Sequence, residues 1–79
     1  MTRPERLRMK RKAAQAINDI ERSLTNVQWL HSEFKPVHPE YADLLEAIAQ
    51  ALFMSRELMK SFWSHAWGPP PDDFDSYRQ

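Results

Sequence analysis

Residues 40–67, EYADLLEAIAQALFMSRELMKSFWSHAW, decide how this chain folds. At about 100° per residue, Tyr41, Leu44, Leu45, Ile48, Ala51, Leu52, Leu58, Met59, Phe62, Trp63 and Ala66 fall in one arc roughly 140° wide. Phe53 and Met54 lie outside the arc, and Trp67 sits at its edge. This is an amphipathic helix whose apolar face is wider than the seam a single partner helix covers. A chain of 79 residues has little else to place over that face, so a second copy or another protein is expected against it.

Upstream, Lys35-Pro36-Val37-His38-Pro39 interrupts helical pattern, because two prolines three apart cannot both occupy a helix interior. Pro39 suits the first position of the helix that follows, and Glu40 and Asp43 suit its positive end. Before the break, Ala13, Ile17, Ile20, Leu24, Val27, His31 and Phe34 recur at alternating spacings of three and four, flanked by Ala16 and Leu30. That is a heptad-like seam on a first helix. Thr2-Arg-Pro-Glu5 has the form of a capping box at its start. Downstream, Gly68-Pro69 stops the second helix, and three prolines lead into the acidic-aromatic segment DDFDSYRQ.

The expected fold is therefore all-α. Residues 1–67 form an antiparallel two-helix hairpin, with helix 1 over about 3–34, a turn at 35–38 and helix 2 over about 39–67. Residues 68–79 form a Pro-rich acidic tail, disordered or lying as a strap across the helices. Since one hairpin buries one seam and leaves its flanks wet, pairing of two hairpins into a homodimeric four-helix bundle is expected. The expected core and interface residues are Ile17, Ile20, Leu24, Val27 and Phe34 with Leu44, Leu45, Ile48, Leu52, Met59, Phe62 and Trp63.

Composition narrows the function classes. There is no cysteine and a single glycine, Gly68, so disulfides and phosphate-cradling glycine loops are both excluded. No apolar run approaches the length that crosses a bilayer, and no apolar stretch follows the basic start as it would in a signal peptide. A cytoplasmic protein without membrane partners is the expectation. Net charge is zero, but it is polarised: Arg3, Arg6, Arg8, Lys10, Arg11 and Lys12 stand against Glu5 alone at one end, while Asp72, Asp73 and Asp75 crowd the other. An antiparallel hairpin brings these acids beside the arginines, and the acidic tail is expected to compensate the head.

No catalytic or cofactor motif is present, and the expectation is a non-enzymatic, regulatory interaction protein that binds another protein as a homodimer. Its interface candidates are Trp29, Leu45, Phe53, Met59, Trp63 and Trp67, with Phe74 and Tyr77 as a docking element on the tail. The alternative is a nucleic-acid-binding hairpin dimer that uses the basic head to neutralise phosphates, although no aromatic residue interleaves with those cations in sequence. A remote alternative takes the row Glu40, Asp43, Glu46 as the Mg²⁺ site of an all-helical nucleotide hydrolase. Such a site needs acidic residues from two helices, and Asp19, Glu21 and Glu33 form no matching pattern. His31, His38 and His65 lack the spacing of a zinc site, so no metal and no cofactor is expected.

Overall fold

The computed structural model describes residues 3–77, without the side chains of Asp75 and Ser76. The expected capping box falls partly on Thr2, outside the described residues. Helix α1 spans Arg3–Phe34 and helix α2 spans Pro39–Trp67, packed against each other as a hairpin, and no strand occurs among the described residues. A 3-10 turn at Phe74–Tyr77 lies against α1.

The turn is closed by the backbone. Phe34 O accepts from Val37 N at 3.0 Å and His38 N at 2.7 Å, while His38 O accepts from Tyr41 N at 3.0 Å. His38 caps α2 with no side-chain hydrogen bond, and Pro39 follows it where a missing N–H is harmless. The rings of Phe34 and Tyr41 meet edge to face at 5.9 Å, and His38 sits 4.9 Å from Tyr41. At the other end Gly68, at φ 95° and ψ −166°, donates its N–H to Ser64 O at 3.1 Å. That conformation is nearly closed to residues with a side chain, so the one glycine stands where the chain must leave the helix.

The core is small and lies at the open end of the hairpin. Ala13, Ala14 and Ile17 of α1 and Trp63 of α2 enclose Phe74, with Met59, Trp67 and Tyr77 packed around them. Trp63 is the hub: Trp67, Phe74 and Tyr77 all stand edge to face against it, at centroid distances of 4.9, 5.1 and 5.2 Å. Towards the turn, Leu24 and Ala42 are the remaining buried residues among those described.

Only part of the expected apolar arc of α2 faces α1. The residues turned towards α1 are Ala42, Leu45, Ala49, Leu52, Arg56, Met59, Trp63 and Trp67, all buried or half-buried. Leu44, Ile48 and Phe62, expected in the core or the interface, are exposed on the single chain. The helix thus offers one edge of its apolar arc to α1 and leaves the middle uncovered. Small residues at Ala42 and Ala49 let the helices approach near the turn, and the Trp63–Phe74 cluster sets the rotation at the open end. Arg56 is drawn into the seam as a consequence. Its guanidinium lies 4.8 Å from the Phe53 ring, with Glu57 at 3.6 Å and Glu21 at 3.9 Å.

Candidate functional site: an uncovered two-helix face

Helical periodicity divides the hairpin into two flanks. On α1, Ala16, Ile20, Ser23, Val27, Leu30 and Phe34 follow one another at spacings of four and three along one side of the buried seam. On α2, Tyr41, Leu44, Ile48, Ala51, Ser55, Leu58 and Phe62 do the same. In an antiparallel hairpin these rows lie on the same flank, and a groove of about 460 Å³ lined by Met9, Ala13, Ala16, Met59, Phe62 and Trp67, with Arg8 and Lys12 at its end, joins them. Leu30, Tyr41, Leu44, Ile48, Leu58 and Phe62 on this flank are 37 to 66% exposed. Neither row contains a charged residue. The hydroxyl of Ser55, in the middle of the α2 row, donates back to Ala51 O at 2.9 Å, so its donor is satisfied within the helix.

The opposite flank is polar and partly covered. Pro70, Pro71, Asp72, Asp73 and Phe74 line a groove with Asn18, Glu21 and Lys60, which places the strap on this side. Near its middle an open groove of about 410 Å³ runs between Leu24, Gln28, Glu46, Gln50, Phe53 and Met54.

The expected interface residues divide among these places. Trp29 is exposed on the outer part of the polar flank, and Phe53 is exposed on the same flank under the Arg56 guanidinium. Leu45 and Met59 are half-buried in the seam between the helices. Trp63 is 2% exposed, so its surface is used inside the hairpin and is not available to a partner. Trp67 is half-buried, edge to face with Phe62 at 5.5 Å and with the Lys10 ammonium 5.9 Å from its ring. Phe74, a tail docking candidate, is buried in the core, while Tyr77 is half-buried beside it.

The basic head is arranged in a way the sequence did not reveal. Arg8, Arg11, Lys12 and Arg22 line a groove of about 460 Å³ together with Gln15, Asn18, Asp19, Phe74 and Tyr77, and the Asp19 carboxylate stands 3.7 Å from the Arg22 guanidinium. Forty residues or more separate these aromatic rings from the cations, and only the folded-back strap joins them. Of the remaining head cations, Arg3 and Arg6 line a separate hollow with Leu7 and Lys10. In the carboxylate row, Glu40, Asp43 and Glu46 are exposed and Glu40 sits 3.3 Å from the His38 ring. Among the described residues no three His, Asp or Glu side chains are placed to hold a metal ion. No described helix is long and apolar enough to cross a membrane.

No protein-family model matches this chain, and neither a curated protein nor a solved structure is significantly similar to it. Function must therefore be argued from these surfaces alone.

Proposed function

We propose that this chain is a non-enzymatic, regulatory helical interaction protein of the cytoplasm, acting as a homodimer that binds another protein. The uncovered apolar flank shared by α1 and α2 carries the reading. Its six large side chains are each about half exposed, so covering them would recover roughly half of the 1.5–3 kcal/mol that full burial of such a side chain gives, about 1 kcal/mol apiece. A domain of this size has a total stability of only about 4–12 kcal/mol. Once a second copy covers that flank, Trp29 and the separate open groove at Phe53 and Met54 are the apolar surface left for a different protein. Aromatic side chains exposed in mid-helix are enriched at such contacts. Light scattering tests the first half of the proposal: a folded chain of single mass refutes it. Affinity capture with Trp29→Ala/Phe53→Ala tests the second, since a partner retained in full by that variant refutes this surface.

One observation favours a second reading, binding of single-stranded nucleic acid. The strap sets Phe74 and Tyr77 beside Arg8, Arg11, Lys12 and Arg22, and cations next to aromatic rings are the usual means of holding phosphates and stacked bases. This reading expects a mobility shift that weakens with salt and disappears in Arg8→Glu/Arg11→Glu. No shift at low salt refutes it.

A further inference from the structure

The apolar flank is long enough, and patterned in the right way, to specify how two copies meet. The inference rests on the homodimer reading and adds its geometry. The geometry points to a dimer with a two-fold axis across the helices, α2 lying antiparallel on the partner's α2 around Ala51, and α1 on the partner's α1 around Thr25.

Surface area makes the first part of the case. The described residues expose 6003 Å², whereas a compact monomer of 9.4 kDa exposes about 5,000 Å². The molecule measures 53 × 23 × 18 Å with a radius of gyration of 15.6 Å, against about 12 Å for a compact domain of this length. Half of the surface of Leu30, Tyr41, Leu44, Ile48, Leu58 and Phe62, at roughly 200 Å² a side chain, amounts to about 600 Å² per copy. The half-buried Ile20, Val27, Leu45, Leu52 and Met59 bring this towards the roughly 800 Å² per partner of a stable interface.

Register makes the second part. The α2 row reads Tyr41, Leu44, Ile48, Ala51, Ser55, Leu58, Phe62: large at both ends and small in the middle. Laid antiparallel on itself around Ala51 and Leu52, it sets Tyr41 opposite the partner's Phe62, Leu44 opposite the partner's Leu58 and Ile48 opposite the partner's Ser55. The α1 row has its own centre at Thr25, where Phe34 meets the partner's Ala16, Leu30 the partner's Ile20 and Val27 the partner's Ser23. Large residues again fall against smaller or equal ones. These two centres come from separate helices, yet one axis must serve both.

The hairpin brings them level. Glu21 lies opposite Arg56 and Lys10 opposite Trp67, and counting four residues on from the first pair places Thr25 opposite Leu52. A slip of one heptad on either helix would move its pairing centre by half a heptad and separate the two axes by about 5 Å. The strap lies on the other flank, so it does not obstruct this contact. The two rows themselves carry no charge, Arg8 and Lys12 stand at the end of the groove that adjoins them, and the Ser55 hydroxyl enters with its donor already used.

The chain has no cysteine, so single cysteines report contacts between copies without background. In the geometry inferred here Ala51→Cys oxidises to a covalent dimer. It does so roughly a hundredfold faster than Thr25→Cys, whose thiol lies level with the axis on the other flank, because the paired thiols see millimolar effective concentration. Leu44→Cys and Leu58→Cys, unfolded and refolded together, cross-link to each other, while neither cross-links to itself. Ala16→Cys and Phe34→Cys behave in the same way. A two-chain mass with none of these cross-links overturns the geometry and leaves the homodimer reading standing. A folded chain of single mass overturns both. Leu44→Glu/Leu58→Glu gives a helical monomer if the inference is right; an unchanged two-chain mass for that variant also overturns it.

Discussion

Replacing Phe74 by alanine tests how the strap is held. Phe74 is 5% exposed and meets the Trp63 ring edge to face at 5.1 Å, inside the cluster formed by Ala13, Ala14 and Ile17. Truncating a fully buried phenylalanine costs about 3–5 kcal/mol when the surrounding chain stays in place. Here it need not stay. A strap without its anchor detaches, and from then on the loss cannot exceed the free energy with which the strap was docked. We therefore expect about 2–3 kcal/mol, at or below the lower limit for such a substitution. Truncation after Gly68 should give the same loss to within about 0.5 kcal/mol, because both variants end in the same undocked hairpin. At fixed chain concentration, urea denaturation followed by far-UV circular dichroism gives the free energy. The thermal midpoint should fall by about 10–20 °C. Tryptophan emission shifts to the red as Trp63 loses its cover, while the number of chains per particle is expected to stay the same because the strap lies on the flank opposite the exposed apolar rows. If both variants lose under about 0.5 kcal/mol and keep the native emission, the strap does not hold the hairpin and the reasoning fails.

Other expectations concern the hairpin itself. Gly68→Ala should destabilise by about 1–3 kcal/mol through its backbone alone, since an added Cβ meets nothing within 4 Å; a neutral melt would show that the glycine conformation is not required. Ala42→Leu, at a position 3% exposed where the helices meet, should cost about 1–3 kcal/mol by overpacking, and an unchanged denaturation midpoint would contradict the close approach. Arg56 sits in the seam with its Nε buried and without a hydrogen bond, and its carboxylate neighbours stand at 3.6 and 3.9 Å. Arg56→Met should accordingly be neutral or stabilising to within about 1 kcal/mol, whereas Arg56→Ala should be destabilising because it removes the stem packed along α1. If Arg56→Met unfolded more readily than Arg56→Ala, the charge rather than the stem would be the contribution that matters.

Both helices could be read directly from the residues, because a helix is set by near neighbours. The three-and-four spacing from Ala13 to Phe34, the proline pair at 36 and 39 and the Gly68 stop mark the same spans that the structure shows. The width of the apolar arc on α2 was equally legible, and so was its excess over one seam. Which edge of the arc would face α1 was not. Periodicity orders residues around an axis but does not rotate the helix against its neighbour. That rotation follows from size: Ala42 and Ala49 permit close approach at one end, and Trp63 needs the room beside Ala14 and Ile17 at the other. A folded-back tail with Phe74 and Tyr77 as plugs, emerging beside the basic head, was legible as one option; that their rings meet Trp63 on one side and stand beside Arg8 and Arg11 on the other was not, because segment 68–77 has no period. The chain by itself determined two amphipathic helices joined tip to tip and one apolar face too many. Tertiary packing alone decided which face that is, since only the fit of bulky side chains across the hairpin selects one rotation among those the pattern allows.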